Sequence, residues 1–178
     1  MCTVAMPELD RHVVIVGMMA AGKTTLGRSL AGRLAVPYVD SDDAIVARFG
    51  KSGRELAASR GVAWLHRLEA EILAEQLADP APSVISAAAS TVDSPECVEM
   101  LKGRLHVCWV DVPVSAIAAR AGIGDHRRPM DTAELHNRWE RRRRVFESIA
   151  RIRTDGTESV DAQVSTVIDT LSKCGSGQ

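Results

Sequence analysis

The apolar run His12-Val-Val-Ile-Val-Gly17 passes directly into Met18-Met-Ala-Ala-Gly22-Lys23-Thr24, so residues 17–24 fit G-x-x-x-x-G-K-[ST]. An uninterrupted apolar run ending in glycine is expected of a central parallel strand buried on both faces. Leu26, Leu30 and Leu34 then step by four, which predicts a helix beginning at Lys23. Strand, glycine loop and helix N-terminus together aim backbone N–H groups at one point, a ready cradle for nucleotide phosphates. Lys23 would reach the β- and γ-phosphates, and the Thr24 hydroxyl would ligate Mg²⁺. The candidate nucleotide-binding residues here are Gly17, Ala20, Ala21, Gly22, Lys23, Thr24 and Thr25. A chance glycine-lysine turn would not sit so consistently between a buried strand and a helix start.

The rest of the chain keeps the same alternation. Pro37–Asp40 reads as a second strand, after which Ser41 or Asp42 caps a helix through Ile45 and Phe49. Residues 50–53 read as a turn, and a long helix is predicted from about Val62 to Ala78. Ser83–Ser86 is a third strand, a short helix follows Pro95, and Leu105–Asp111 is a fourth strand. Pro113 opens the next helix, where a proline in the first turn is tolerated. Residues 122–129 form a glycine- and charge-rich loop, residues 132–150 a helix, 151–154 a last strand, and 160–171 a closing helix. Strands alternating with helices predict a parallel sheet covered on both faces. The expected fold is an α/β P-loop three-layer sandwich, a five-stranded parallel sheet flanked by helices, with a mobile lid over about residues 122–132. One domain, residues 1–174, and a frayed tail, 175–178, account for the whole of the 178-residue chain.

Composition removes several classes of function. A formal net charge of −1 gives no electrostatic footprint for nucleic acid or an anionic membrane. With three Trp, one Tyr and two Phe, stacking platforms for single strands are scarce despite the Arg141–Arg144 run. Cys2, Cys97, Cys108 and Cys174 have no metal-ligand spacing and read as reduced thiols. No apolar run is long enough to span a bilayer, and no secretory signal opens the chain. The expectation is a cytoplasmic monomer acting on a small molecule, with no nucleic-acid or membrane partner.

The ordered set of motifs resembles the shikimate kinase family. The likeness runs from GMMAAGKTTLGRSLAGRL through VDSDDAIVARFGKSGREL and LHRLEAEIL to HRRPM and the arginine-rich helix. It implies ATP-dependent transfer of the γ-phosphate, with Mg²⁺, to a hydroxyl of a small hydroxylated metabolite, carboxylated or cyclic. It implies Asp40 near the metal, Asp42 on the acceptor hydroxyls as a possible base, and Arg120 near the adenine side. It also implies a lid arginine at Arg128, with Arg127 its rival, and Arg142 as the holder of a substrate carboxylate. Lys23, Asp42 and Arg128 are thus the candidate catalytic residues, and Thr24 and Asp40 the candidate metal ligands.

Three positions depart from the family pattern. His66 stands where the family carries an arginine, Ala88-Ala89-Ser90 where it carries a glycine triplet, and Ala20 where the cradle usually has a fourth-position glycine. His66, Ala88, Ala89 and Ser90 therefore line an expected acceptor pocket that is narrower and less cationic, and shikimate itself is in doubt as acceptor.

The residues allow competing readings at several points. Both Val39-Asp40 and Val110-Asp111 end apolar strands in an aspartate suited to magnesium. Asp42 is placed equally well to cap a helix. Arg142 lies on the stripe Leu135, Trp139, Arg142, Phe146, Ile149, and a buried guanidinium needs an anionic partner, either a structural carboxylate or a substrate. His66 shares a stripe with Val62, Ala70, Leu73 and Leu77, where a histidine is more often a core residue than a ligand. Rival functions are a gluconate-type or other sugar-acid or cyclitol kinase, and a nucleotide-binding sensor without phosphotransfer.

Overall fold

The computed structural model describes residues 9–103, 106–121 and 131–175. Strands β1 (Val13–Val16), β2 (Tyr38–Asp40), β3 (Val84–Ser86), β4 (Val107–Asp111) and β5 (Ile152–Asp155) form one parallel sheet in the order β2-β3-β1-β4-β5. Pairs such as Ile15 with Ser86 and Ile15 with Cys108 fix the register on either side of β1. All four β1 residues are fully buried, as an uninterrupted apolar strand requires.

Helices α1 (Lys23–Leu34), α2 (Ser41–Phe49), α3 (Gly53–Arg60), α4 (Val62–Ala78), α5 (Pro95–Leu101), α6 (Val114–Ala121), α7 (Thr132–Ile149) and α8 (Val160–Gly175) complete the described fold. Their placement follows from handedness. The chain leaves β1 through α1 toward β2, but leaves β2, β3 and β4 in the opposite direction across the sheet. Right-handed crossovers then put α1 on one face and α4, α5 and α7 on the other. α8 packs beside α1, and α7 packs against β4. The sheet's carboxyl edge is where β1, β2 and β3 run into the cradle, α2 and the segment 87–90, the usual ligand edge of an open α/β sheet.

Several boundaries differ from the sequence expectations, each for a local reason. The cap of α2 is Asp40 rather than Ser41 or Asp42: its side chain accepts from the Asp42 N–H while its backbone stays extended. Residues 50–53 are a turn only in part. Ser52 caps α3, and Ser52 and Glu55 form a reciprocal capping box. That helix buries Leu56 alone, so no apolar period announced it. On α4 the buried residues are Leu68, Glu69, Ile72, Leu73 and Leu77, while Val62 is 58% exposed. The stripe through His66 is therefore rotated, and Glu69 turns inward in its place. Pro113 sits just ahead of α6, supplying the carbonyl for Ala116 and Ile117. Gly175 belongs to α8, and the remainder of the expected tail lies outside the described residues. So do Arg127, Arg128 and most of the expected lid.

A second, smaller core of Ile45, Leu56, Leu68 and Ile72, with Phe49, Trp64 and Leu65 against it, ties α2, α3 and α4 together. That three-helix unit stands over the carboxyl edge and forms one side of the cleft described next.

Candidate active site

Gly22 caps α1 in a left-handed conformation, with no side chain occupying the free N–H groups and no acid in the first turn. An uncapped helix N-terminus without competing carboxylates is the arrangement an anion fits. Lys23 folds back across the loop, donating from Nζ to the carbonyls of Gly17 and Met18, both at 3.1 Å. The ammonium is thus held over the cradle before any phosphate arrives. Ala20 adopts φ +57°, one of two left-handed non-glycine residues among those described. An alanine Cβ makes that conformation strained by about 1 kcal/mol relative to glycine. Arg120 braces the loop from α6, donating to Ala21 O at 3.3 Å and to Gly156 O at 2.8 Å.

One carboxylate organises the rim. Asp40 Oδ2 accepts from Thr24 Oγ1 at 3.1 Å and from Tyr38 Oη at 2.6 Å, and its Oδ1 accepts from the Asp42 N–H at 2.9 Å. Burial, reinforced by the Asp40 hydrogen bond, pushes the Tyr38 phenol up to about 12, so it remains a donor. Tyr38 reaches this position because Gly27 carries no side chain: a Cβ there would run into Cε2 of the ring. The Thr24 oxygen keeps lone pairs while its hydrogen points to Asp40, which is the donor set a hard divalent cation accepts. The competing aspartate, Asp111, is paired with Arg153, Nε to Oδ2 at 3.2 Å, and does not line the cleft.

Cradle and rim open into a cleft of about 780 Å³. Its lining brings together Ala20, Ala21, Gly22, Lys23, Thr24, Asp40, Asp42, Ala88, Ala89 and Ser90 from the expected set. Gly17 lies beneath it, buried, with its carbonyl on Lys23. Thr25, Arg120, His66 and Arg142 are not part of the lining. Ala88, Ala89 and Ser90 all have negative φ, since Ala20 and Ala35 alone among described non-glycine residues are positive. The wall therefore uses ordinary backbone, and the alanine methyls occupy space without strain.

Ser52, Arg54 and Glu69 also line the cleft, and sequence alone had not singled them out. Glu69 is 7% exposed and accepts a hydrogen bond from Ser90 Oγ. Burial, with Asp42 nearby, raises its carboxyl above the usual range, although the Ser90 hydrogen bond and Arg142 pull the other way. The signal for Glu69 was present, a lone acid in phase with Leu65 and Ile72. Arg142, 6% exposed, has its partner in Asp93, with Nε to Oδ1 at 3.0 Å and Nη2 on Oδ2. Burial works against the Asp93 charge, but the hydrogen bond and charge of Arg142 outweigh it and hold the carboxyl below its ordinary range. The structural carboxylate is thus the partner present. His66 is half-buried and lies outside the lining of the cleft.

Among the described residues, no His, Cys, Asp and Glu cluster forms a protein-only metal site, and no helix is long and apolar enough to cross a membrane. The arrangement is a glycine-lysine cradle sharing one cleft with a wall that bears carboxylates.

Known proteins share this fold. The family model for shikimate kinase matches residues 19–172. A shikimate kinase of Synechococcus elongatus is 32% identical over 163 residues, covering 88% of this chain and 84% of its own. The crystal structure of shikimate kinase from Aquifex aeolicus superposes with a TM-score of 0.82 at 25% identity, covering 94% of this chain and 99% of that one. A gluconokinase from Sinorhizobium meliloti shares the fold at a TM-score of 0.63 and 16% identity, with 94% of each chain covered. A match over nearly the whole length makes this chain a member of the shikimate kinase family, ATP-dependent phosphotransferases acting on an alcohol group.

Proposed function

We propose that this protein transfers the γ-phosphate of ATP to a hydroxyl of a compact polyhydroxylated metabolite, and that shikimate is not its best acceptor. The observation that supports this reading most is the single cleft in which Lys23 and Asp42 face a wall of Ala88, Ala89 and Ser90. Backbone N–H groups at the start of α1 and the Lys23 ammonium would hold the β- and γ-phosphates and offset their charge as transfer proceeds. Thr24 and Asp40 would hold Mg²⁺, which supplies further charge compensation when bound, Asp40 through water because its oxygens already accept three donors. Asp42, at the start of α2, would orient the acceptor hydroxyl and take its proton. One of Arg127 and Arg128, Arg128 by the family pattern, would close on the phosphates, and Arg120 would flank the adenine.

Residues 1–174 would work as one kinase domain, lid included, as a monomer in the cytoplasm. The departure from shikimate is argued from the wall. Methyl groups and a serine fill space that glycines would leave open, and His66 cannot offer a carboxylate the planar, permanently charged fork of an arginine. A missing charge-assisted partner costs about 2–5 kcal/mol, which changes the preferred substrate.

Coupled ADP release with Mg-ATP tests the reading across shikimate, quinate, gluconate and cyclic polyols. Turnover concentrated on an acceptor other than shikimate is expected. Strong turnover on shikimate would overturn the specificity argument, and ATP binding with no turnover on any acceptor would favour a sensor.

A further inference from the structure

Among the described residues, the acceptor end of the cleft has little buried positive charge, and the chain's own carboxylate engages the one buried guanidinium. Among the described residues, Arg142 is the one buried arginine or lysine. Its side chain is 7% exposed, and Asp93, at 38%, engages it at two points. Such a fork-on-carboxylate pair is the strongest form of this contact. Neither residue lines the cleft. Asp93 ends the 3₁₀ turn Thr91–Asp93, which continues the wall from Ala88 to Ser90, and its N–H donates to Ser90 O at 2.8 Å. One turn thus shapes the wall and withdraws the guanidinium.

Among the described residues, acidic side chains outnumber basic ones on the lining. Asp42 and Glu69 both line the cleft, and Ser90 is committed to Glu69. Among the described residues, two cations share the lining, Lys23 and Arg54. Lys23 belongs to the cradle, and Arg54 is exposed on α3, where water makes ion pairing weak. His66 and Arg138 are not part of the lining.

We propose that Asp93 is a specificity-determining residue: it occupies Arg142 with a carboxylate of the chain's own, and so suits the cleft to an uncharged polyol rather than a carboxylate-bearing acceptor. The inference rests on the kinase reading above. A carboxylate brought to this wall would shed water beside Asp42 and Glu69 without gaining a buried cation. Hydroxyl groups, by contrast, donate to those same carboxylates and exchange hydrogen bonds with Ser86 and Ser90.

The test uses the full-length enzyme with Mg-ATP and acceptor pairs that differ only in the acid group: shikimate against its primary alcohol, and gluconate against glucitol. In each pair that turns over, kcat/KM for the alcohol is expected at least about ten-fold above that for the acid. Asp93→Asn keeps a neutral acceptor for Arg142 but releases its charge, and should narrow or reverse the ratio about ten-fold. Glu69→Gln, which leaves the buried pair intact, should narrow it too. A preference for the acid in the wild type overturns the proposal and directs attention to Arg54. An unchanged ratio in folded Asp93→Asn and Glu69→Gln also overturns it. The wild-type comparison needs no variant, so misfolding of either substitution does not shelter the idea. Turnover of acids alone removes only this inference, whereas ATP binding with no ADP release from any of the four acceptors removes the kinase reading as well.

Discussion

The two ends of the cleft are built in opposite ways. The proposed phosphate end is contiguous: residues 17–24 supply its loop, lysine and hydroxyl, and the uncapped N-terminus of α1 offers backbone N–H groups. The proposed acceptor end is assembled from α2, α3, α4 and the segment 86–90, with α7 standing behind it through Arg142, and it presents mainly side chains. A backbone cradle tolerates change in the side chains between its fixed positions, as Met18, Met19 and Ala20 illustrate. A side-chain wall changes its preference with each substitution. On the reading proposed above, the difference would let a chain keep the transfer machinery of its family while its acceptor preference shifts.

The largest effect that separates the two ends should come from the cradle. Lys23→Met is expected to lower kcat by about 10²–10³-fold or more for every acceptor alike, because the charge it compensates belongs to ATP. Asp42→Asn should come next, lowering kcat by about 10²-fold or more with the KM for ATP nearly unmoved. An equal loss of ATP affinity would show that the two ends are not separable there. Both are read from steady-state kinetics with each substrate varied in turn.

Stability offers a third, smaller comparison, between the members of the buried pair. Asp93→Ala leaves the guanidinium of Arg142 buried and unpaired, and should destabilise by about 3–5 kcal/mol. Arg142→Ala leaves a carboxylate that is 38% exposed and able to recruit water, so the loss should be smaller, about 1–3 kcal/mol. Urea unfolding of both variants checks the order. The pH dependence carries a definite sign. Asp93 has a lowered pKa in the folded state, so its contribution is complete above the unfolded value of about 3.9 and is lost as pH falls through the folded one. The gap between wild type and Asp93→Ala should therefore close only in strong acid.

The smallest effect returns to the cradle. Ala20→Gly relieves a left-handed alanine and should add up to about 1 kcal/mol, visible as a modest rise in Tm. Weaker ATP binding in this variant would show that the methyl group has a role beyond strain.

The contrast also sets how much was legible in the sequence. The strand order of types, the cradle and the long helix α4 were readable because apolar period and glycine punctuation are local signals. Asp42, Ala88, Ala89 and Ser90 fell in the cleft because they follow strand ends, where an open parallel sheet binds ligands. The inward turn of Glu69 was not read, since a stripe drawn through His66 places α4 in a different rotation. The helix α3 was hidden because it buries one residue, although Ser52 and Glu55 spell a capping box. The pairing of Arg142 with Asp93 joins positions 49 apart, and no local rule chooses among the acids that might meet a buried arginine. Arg54 gave no signal, because its position depends on how the small core of α2, α3 and α4 sets that unit against the sheet.

Asp40 has a consequence of a different kind. Its carboxylate is shared by the Thr24 hydroxyl, on the nucleotide side, and by the Asp42 N–H, on the acceptor side. If nucleotide and acceptor bind as proposed, a ligand that draws on one of these hydrogen bonds is expected to change the strength of the other, which would link occupancy of the two halves. Linkage is reciprocal: whatever factor ATP imposes on acceptor affinity, the acceptor must impose on ATP. Substrate synergy in this enzyme would then be written in a single side chain, the cap residue of α2.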